Sequence, residues 1–327
     1  MKRLTVSALA PDFAGCALID VPMPGVGTGQ VRVKVATAAI NFPDLLMTRG
    51  EYQLKPDLPF GLGMECAGVV DAAGEGVPPE WIGREVVAGT RLGAMADYVC
   101  VDAAVARPKP ARLSFAEASA YGSAYLTAWV SLVRRGALQA GDWLLVHGAA
   151  GGMGLAAVDL GRHLGARVIA ASASAGKRDA IAELYAPEAV IDSAPGFRER
   201  VLELTGGQGA DVVFDPVGGD VFDESARCTA FDGRLLVVGF ASGRIPSISV
   251  NMPLIKGYSI VGVRAGEYGR RFPDRGRDNM EAIDALAANG AIRPHVHAEL
   301  PLSEWREAFR MIEDREVVGK VVLVPDP

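Results

Sequence analysis

Residues 141–154 read GDWLLVHGAAGGMG. Trp143 to Val146 is a short apolar run without charge that feeds directly into small residues, as a buried parallel strand does when it turns sharply into a helix. A dinucleotide fits such a turn. Only glycine or alanine lets a backbone pass close to a pyrophosphate, and the helix that follows points its free N–H groups and positive dipole end at the phosphates. Ala149 stands in the first place of the GxGxxG spacing, while Gly151 and Gly154 keep the second and third. Alone the fingerprint is weak; the order strand, glycines, helix, strand supports it.

That order continues downstream. Helices are predicted over Gly152 to Leu164, near Lys177 to Leu184, over Phe197 to Thr205 and over Asp220 to Cys228. Strands alternate with them at Arg167 to Ala171, Ala189 to Ile191, Asp211 to Phe214, Arg234 to Val238 and Tyr258 to Val263. This is a doubly wound parallel α/β (Rossmann) pattern. After Arg264 come a charged loop, amphipathic helices around Met280 to Asn289 and Leu302 to Ile312, and a final strand, Lys320 to Val324. Upstream the chain is mainly β. Val31, Val33 and Val35 alternate with Arg32 and Lys34 within Gln30 to Ile40, and further strands fall at Lys2 to Ala8, Glu85 to Ala88 and Ala96 to Val101. A short helix enters through Pro43 and closes at Gly50, and a longer one begins at Ser114 with Glu117 spaced for a capping box and runs through Val133.

The 327 residues suffice for two cores. Half are hydrophobic, and 33 basic against 39 acidic residues give a net charge of −6 with no long Lys/Arg run, which argues against nucleic acid or an anionic membrane as partner. No stretch reads as a membrane span or signal peptide, so a cytoplasmic protein is expected. Cys16, Cys66, Cys100 and Cys228 lie far apart with no CxxC pair and are expected to be buried free thiols.

Two stretches carry a family resemblance. Gly63, Glu65, Gly68, Gly74 and Val77 keep the GxExxGxxxxxGxxV spacing of medium-chain alcohol dehydrogenases, and Gly141 to Arg162 resembles the signature of their quinone oxidoreductase branch, with Asp159 in place of the usual glutamine. That substitution is expected to lie on the far side of the helix and to matter little. The resemblance implies a discontinuous, mainly β, GroES-like catalytic domain (1–125 and 264–327) around a Rossmann domain (126–263), a substrate cleft at their junction, and a homodimer. Tyr258 to Val263 would be an apolar edge strand, which fits a second copy.

The zinc-dependent branch places a histidine between the glycine and glutamate of the first signature and a cysteine in the segment occupied here by Ile40 to Asp44; this chain has Met64 and no cysteine. A lone thioether is a poor zinc ligand, so no metal site is expected. His147, His163, His295 and His297 are read as structural. Without a Lewis acid the remaining chemistry is hydride transfer to a quinone or to the β-carbon of an activated α,β-unsaturated carbonyl compound, with the protein orienting the cofactor and stabilising the oxygen that gains charge.

Cofactor choice is read just past the second Rossmann strand. An NAD enzyme generally has Asp or Glu there for the ribose 2′-OH; this chain has Ala171, Ser172, Ser174 and Lys177, and then Arg178, which suit the 2′-phosphate of NADPH. The alternative is a solvated helix start with incidental basic residues. The resemblance places Lys177 against the phosphate, but it often supplies a tyrosine after the third strand where this chain has Ser193, and Asp192 adds a charge nearby. The candidate cofactor residues are Asn41, Thr127, Ala150, Gly151, Gly152, Met153, Gly154, Ser172, Ser174, Lys177, Gly239, Phe240 and Arg264. Of these, Asn41, Thr127 and the Gly239-Phe240 turn are carried over by resemblance to the nicotinamide end. Asn41 could equally cap the helix that follows it. Arg264 could attract a quinone oxygen or a thioester's phosphate tail, or simply form a surface ion pair. The candidate catalytic residues are Tyr52 and Asn41. Gly50-Glu51-Tyr52 with Pro56 and Pro59 resembles the setting of the proton-donor tyrosine in enoyl-thioester reductases, and a phenol can donate at neutral pH; the alternative role is an aromatic pocket wall. The expected activity is NADPH-dependent, zinc-independent reduction of quinones or enones. Two alternatives stay open: an enoyl-thioester or enone C=C reductase with Tyr52 as donor, and an NADPH-binding sensor or structural protein with little turnover.

Overall fold

Trp143–Val146 is buried along its whole length because it lies inside a six-stranded parallel sheet with neighbours on both sides. It pairs with Arg167–Ala171 on one edge and with Ala210–Asp215 on the other, and the sheet order, counting strands along the chain, is 3-2-1-4-5-6. The computed structural model describes residues 1–326. Leu144, Leu145, Val146, Ile169, Val213, Phe214, Leu235 and Leu236 are fully buried in this sheet, each contributing about 2 kcal/mol by removal from water. The sixth strand, Ser259–Gly262, is an edge, as the sequence predicts.

The chain divides into two units, Met1–Ser123 with Pro294–Pro327, and Ala124–Arg293. Gln30–Ala39 lies within a seven-stranded sheet of the first unit and pairs antiparallel with Glu65–Ala73, Tyr98–Asp102 and Lys320–Val324. The valine alternation of this strand works as read. Val31, Val33 and Val35 enter the core, while Arg32 forks onto Asp71 at 2.8–3.2 Å. Lys2–Val6, Cys16–Asp20 and Phe60–Gly61 form a small separate sheet.

The structure corrects several expectations. The amphipathic helix expected around Met280 to Asn289 is present as Pro273–Asn289, but the stretch before it is helical too, Ala265–Arg271 and the first turns of the longer helix, rather than a charged loop. Its charges are spaced for helical neighbours: Glu267 pairs with Arg270 and Arg271, and Asp274 with Arg277. Residues 264–293 belong with the Rossmann unit, not with the catalytic domain, because Arg134 donates to Asn279 Oδ1 at 2.8 Å and the Arg293 N–H to Asp159 at 2.7 Å. Cys16, Cys66 and Cys228 are buried free thiols; Cys100 is half-buried. Strands Cys16–Asp20 and Val296–Pro301 and helix Asn251–Lys256 carry no signal strong enough to predict. Among the described residues no helix is long and apolar enough to cross a membrane.

Candidate cofactor and active site

The turn between the first Rossmann strand and helix Gly152–His163 is made by Gly148, whose φ of +57° favours glycine. The sharp turn therefore falls one residue before Ala149, which is buried and unstrained in place of the fingerprint's first glycine. Gly154 is needed for closeness instead: a Cβ there would lie 2.1 Å from the Gly148 carbonyl oxygen. Ala150 is buried, whereas Gly151 and the Met153 side chain are exposed. No side chain caps this helix, so the N–H groups of its first turn remain free for an anion. The residues present fit a pyrophosphate. His147, the last residue before the turn, is fully buried, with Nε2 2.8 Å from Ser225 Oγ; burial drives its pKa down to about 3 and keeps the ring neutral.

Past the second Rossmann strand, Ala171 and Ser172 are buried, and Ser174 is the residue before helix Ala175–Tyr185, which carries Lys177 in its first turn. Arg178 turns inward. It donates to the Ser172 and Ala173 carbonyls at 2.8 and 2.9 Å and pairs with Asp192 at 3.1 Å.

At the other end, Asp215 closes the fourth strand. It is buried, which raises its pKa, and its Oδ1 accepts the Val217 and Gly218 N–H groups at 2.8 and 2.9 Å. The turn it fixes is joined to the Gly239-Phe240 turn through Ala241 N–H to the Pro216 carbonyl and Ser242 N–H to that of Val217. Phe240 is exposed. The Thr127 carbonyl accepts the Ser131 hydroxyl at 2.6 Å, where helix Phe115–Trp129 widens into a π-turn over Val130–Arg135. Arg264 is exposed, just ahead of helix Ala265–Arg271, with the Glu267 charge nearby.

Asn41 and Tyr52 belong to the first unit, the other candidates to the second. Asn41 is gripped by its amide. Nδ2 donates to Glu65 Oε1 at 3.0 Å and Oδ1 accepts from Lys320 Nζ at 2.7 Å, while Lys320 pairs with Glu65 at 3.0 Å in a nearly dry setting. Glu65 Oε2 also accepts the Ser123 N–H at 2.8 Å. Asn41 is the N-cap residue of helix Phe42–Thr48, as one of its two readings expected, in a capping box with Asp44, whose carboxyl accepts the N–H groups of Asn41 and Gly63 at 2.8 and 3.2 Å. Asp44 is fully buried, and desolvation lifts its pKa to about 7 against those two bonds. The Asn41 amide is thus fixed in one orientation with a second Nδ2 hydrogen still to give. Sequence reading finds Asn41 and Glu65 but misses Asp44 and Lys320, whose only signal is that a buried glutamate demands a partner. Tyr52 packs half-buried against the apolar core, and its hydroxyl has no partner among the described residues. The position of the zinc branch's histidine, Met64, also leans on the core, and no group of three His, Cys, Asp or Glu side chains among the described residues could hold a metal.

Asp159 is buried and structurally engaged: its Oδ2 accepts the Tyr125 hydroxyl at 2.6 Å and the Arg293 N–H at 2.7 Å, while the Tyr185 hydroxyl donates to the Arg293 carbonyl. Burial raises the pKa of both Asp159 and Tyr125.

Two family descriptions match the chain: alcohol dehydrogenase GroES-like domain over residues 27–111, and zinc-binding dehydrogenase over 152–285. A quinone oxidoreductase-like protein 2 homolog of Nematostella vectensis is 38% identical over 91% of this chain and 82% of its own length. A probable oxidoreductase from Mycobacterium abscessus has a crystal structure that is 38% identical and superposes with a TM-score of 0.89, covering 99% of both chains. The quinone oxidoreductase of Escherichia coli, solved with NADPH, is 27% identical and also reaches 0.89, covering 99% of this chain and 100% of its own.

Proposed function

The chain belongs to the quinone oxidoreductase branch of the medium-chain dehydrogenase/reductase superfamily, and from that premise we propose that it is an NADPH-dependent, zinc-independent reductase of quinones or other activated α,β-unsaturated carbonyl compounds. The observation that carries the cofactor is the end of the second Rossmann strand, where buried Ala171 and Ser172 stand in place of a carboxylate and Lys177 follows in the first turn of a helix. A 2′-phosphate is welcome there and a bare ribose gains no special partner. NADPH, when bound, supplies the hydride. The Gly148–Gly154 turn and the uncapped helix behind it hold the pyrophosphate; Thr127 and the Asp215-braced turns border the nicotinamide.

Asn41 is the residue fitted to the oxygen that gains charge. Glu65 and Lys320 hold its amide so that the free Nδ2 hydrogen needs no reorientation when charge develops, the condition under which a hydrogen bond lowers a barrier. Met64, a thioether where the zinc branch has a histidine, supports the zinc-independent reading. A second reading, C=C reduction with Tyr52 protonating the enolate, is favoured by the unpartnered Tyr52 hydroxyl.

A homodimer completes the proposal. Beside the open edge strand Ser259–Gly262, Phe231, Val250 and Leu254 are each at least 80% exposed, an apolar surface that a second copy pairing edge to edge would cover.

The test is NADPH oxidation, with NADH in parallel, against a para-quinone, an α,β-unsaturated ketone and a short enoyl thioester, before and after dialysis against a chelator. Fastest turnover with NADPH and the quinone, indifferent to the chelator, is the expected result. Preference for NADH overturns the cofactor assignment, loss on chelation overturns zinc independence, and NADPH binding without turnover of any acceptor favours a sensor.

A further inference from the structure

Asp192 follows the third Rossmann strand, next to the segment read as facing a 2′-phosphate, where a carboxylate is unwelcome. It follows directly on Ile191, whose carbonyl accepts the Ser172 N–H at 3.1 Å, so the ends of the second and third strands adjoin. The carboxylate is not left bare. Its Oδ2 meets Arg178 Nη1 at 3.1 Å and its Oδ1 accepts the Ala194 N–H at 2.9 Å. The same Arg178 nitrogen donates to the Ser172 and Ala173 carbonyls, which fixes the backbone between the strand's end and the helix bearing Lys177. One guanidinium therefore does two things: it shapes the segment that a phosphate would meet, and it cancels the charge that would repel it.

We propose that Arg178 is a positioning residue for the 2′-phosphate end of the cofactor, and that the Arg178–Asp192 pair, without touching the phosphate, sets the preference for NADPH over NADH. The inference rests on the NADPH reading. That reading stands or falls on the wild-type preference alone, whereas the role of the pair is read from changes in that preference. An unmasked unit charge several ångströms from a doubly charged phosphate at the protein surface changes affinity by roughly five- to tenfold, and NADH, lacking the phosphate, feels little of it.

Dissociation constants for NADPH and NADH are measured by nicotinamide fluorescence on the intact wild type, Arg178→Gln, Asp192→Asn and the double variant, without any acceptor. The expected result is that Arg178→Gln weakens NADPH by about tenfold and NADH by less than about threefold. Asp192→Asn, a half-exposed and conservative change that keeps the test alive should the arginine variant fold poorly, tightens NADPH several-fold and leaves NADH where it was. The double variant recovers part of the NADPH affinity lost in Arg178→Gln. Equal weakening of both nucleotides by Arg178→Gln reduces the arginine to a fold brace and overturns the proposal. So does an Asp192→Asn variant whose NADPH affinity is unchanged or lower. A double variant as weak as Arg178→Gln makes the arginine a direct phosphate ligand and overturns it equally.

Discussion

In the first unit a carboxylate, a carboxyl group and an ammonium are buried together around Asn41, whereas the second unit presents a glycine turn lined by backbone and backed by one histidine that burial keeps neutral. The difference follows from what each must do. An amide that gives a hydrogen bond to a developing charge has to be held, and only strong acceptors and donors on both its ends can hold it. A pyrophosphate has to be approached, and approach needs empty space and free N–H groups. The second site is therefore broken by adding atoms and the first by removing charge.

Adding one atom gives the largest effect. Gly154→Ala places a methyl 2.1 Å from the Gly148 carbonyl, which forces the turn apart; NADPH affinity by fluorescence falls more than about 100-fold, and urea unfolding shows a loss of about 3 kcal/mol or more. Unchanged NADPH affinity would mean that the turn does not carry the pyrophosphate. Removing one charge comes next. Lys320→Met leaves Glu65 buried without its cation and costs about 3 kcal/mol of stability. Asn41→Ala, by contrast, lowers turnover more than it lowers the melting temperature, because Lys320 and Glu65 still satisfy each other.

The two buried titrating groups sharpen the comparison through pH. His147 has a folded pKa of about 3 against about 6.5 unfolded, so the unfolded chain binds the extra proton and stability is lost as pH falls below 6.5, by about 1.4 kcal/mol per unit. Asp44 runs the other way. Its folded pKa of about 7 lies above the unfolded value, so stability is fullest below about pH 4 and is lost at a similar slope as pH rises toward 7. Between pH 4 and 6.5 the two slopes oppose each other. Relative to the wild type, His147→Gln makes stability fall with rising pH and Asp44→Asn makes it climb, each by about 3 kcal/mol across that window in urea titrations. Parallel profiles for wild type and variant would show that the group does not titrate there. The smallest effect is at Tyr52. Phenylalanine leaves stability within about 0.5 kcal/mol and quinone turnover nearly unchanged, while enone turnover drops about tenfold where the hydroxyl donates its proton; equal enone turnover removes Tyr52 from the chemistry.

The Rossmann sheet was legible because each of its strands is a short apolar run and each turn is marked by small residues, so period and punctuation agree at Trp143–Val146, Arg167–Ala171 and Ala210–Asp215. Residues 265–279 were not, because Gly266, Gly269, Gly276 and seven charges from Glu267 to Asp278 look like a loop; only the pairing of those charges at helical spacing reveals the helix there and the early start of the one read around Met280 to Asn289. The glycines and Asn41 were legible from motif. Lys320 was not: it lies 255 residues from Glu65, and nothing local announces that pairing. The partners of Asp159, Tyr125 and Arg293, were hidden for the same reason, since both are distant in the chain.

That separation orders the protein's birth. The Rossmann unit is a single continuous stretch, so all its strands have been synthesised once residue 293 has left the ribosome. The first unit starts earlier and finishes later. Its sheet lacks Val296–Pro301 and Lys320–Val324 until the last of its residues emerge, and Glu65 and Asn41 wait throughout for their cation. A nascent chain stalled before Lys320 holds the complete sequence of the second unit and an unfinished sheet with an uncompensated glutamate in the first, the kind of surface that chaperones and proteases recognise.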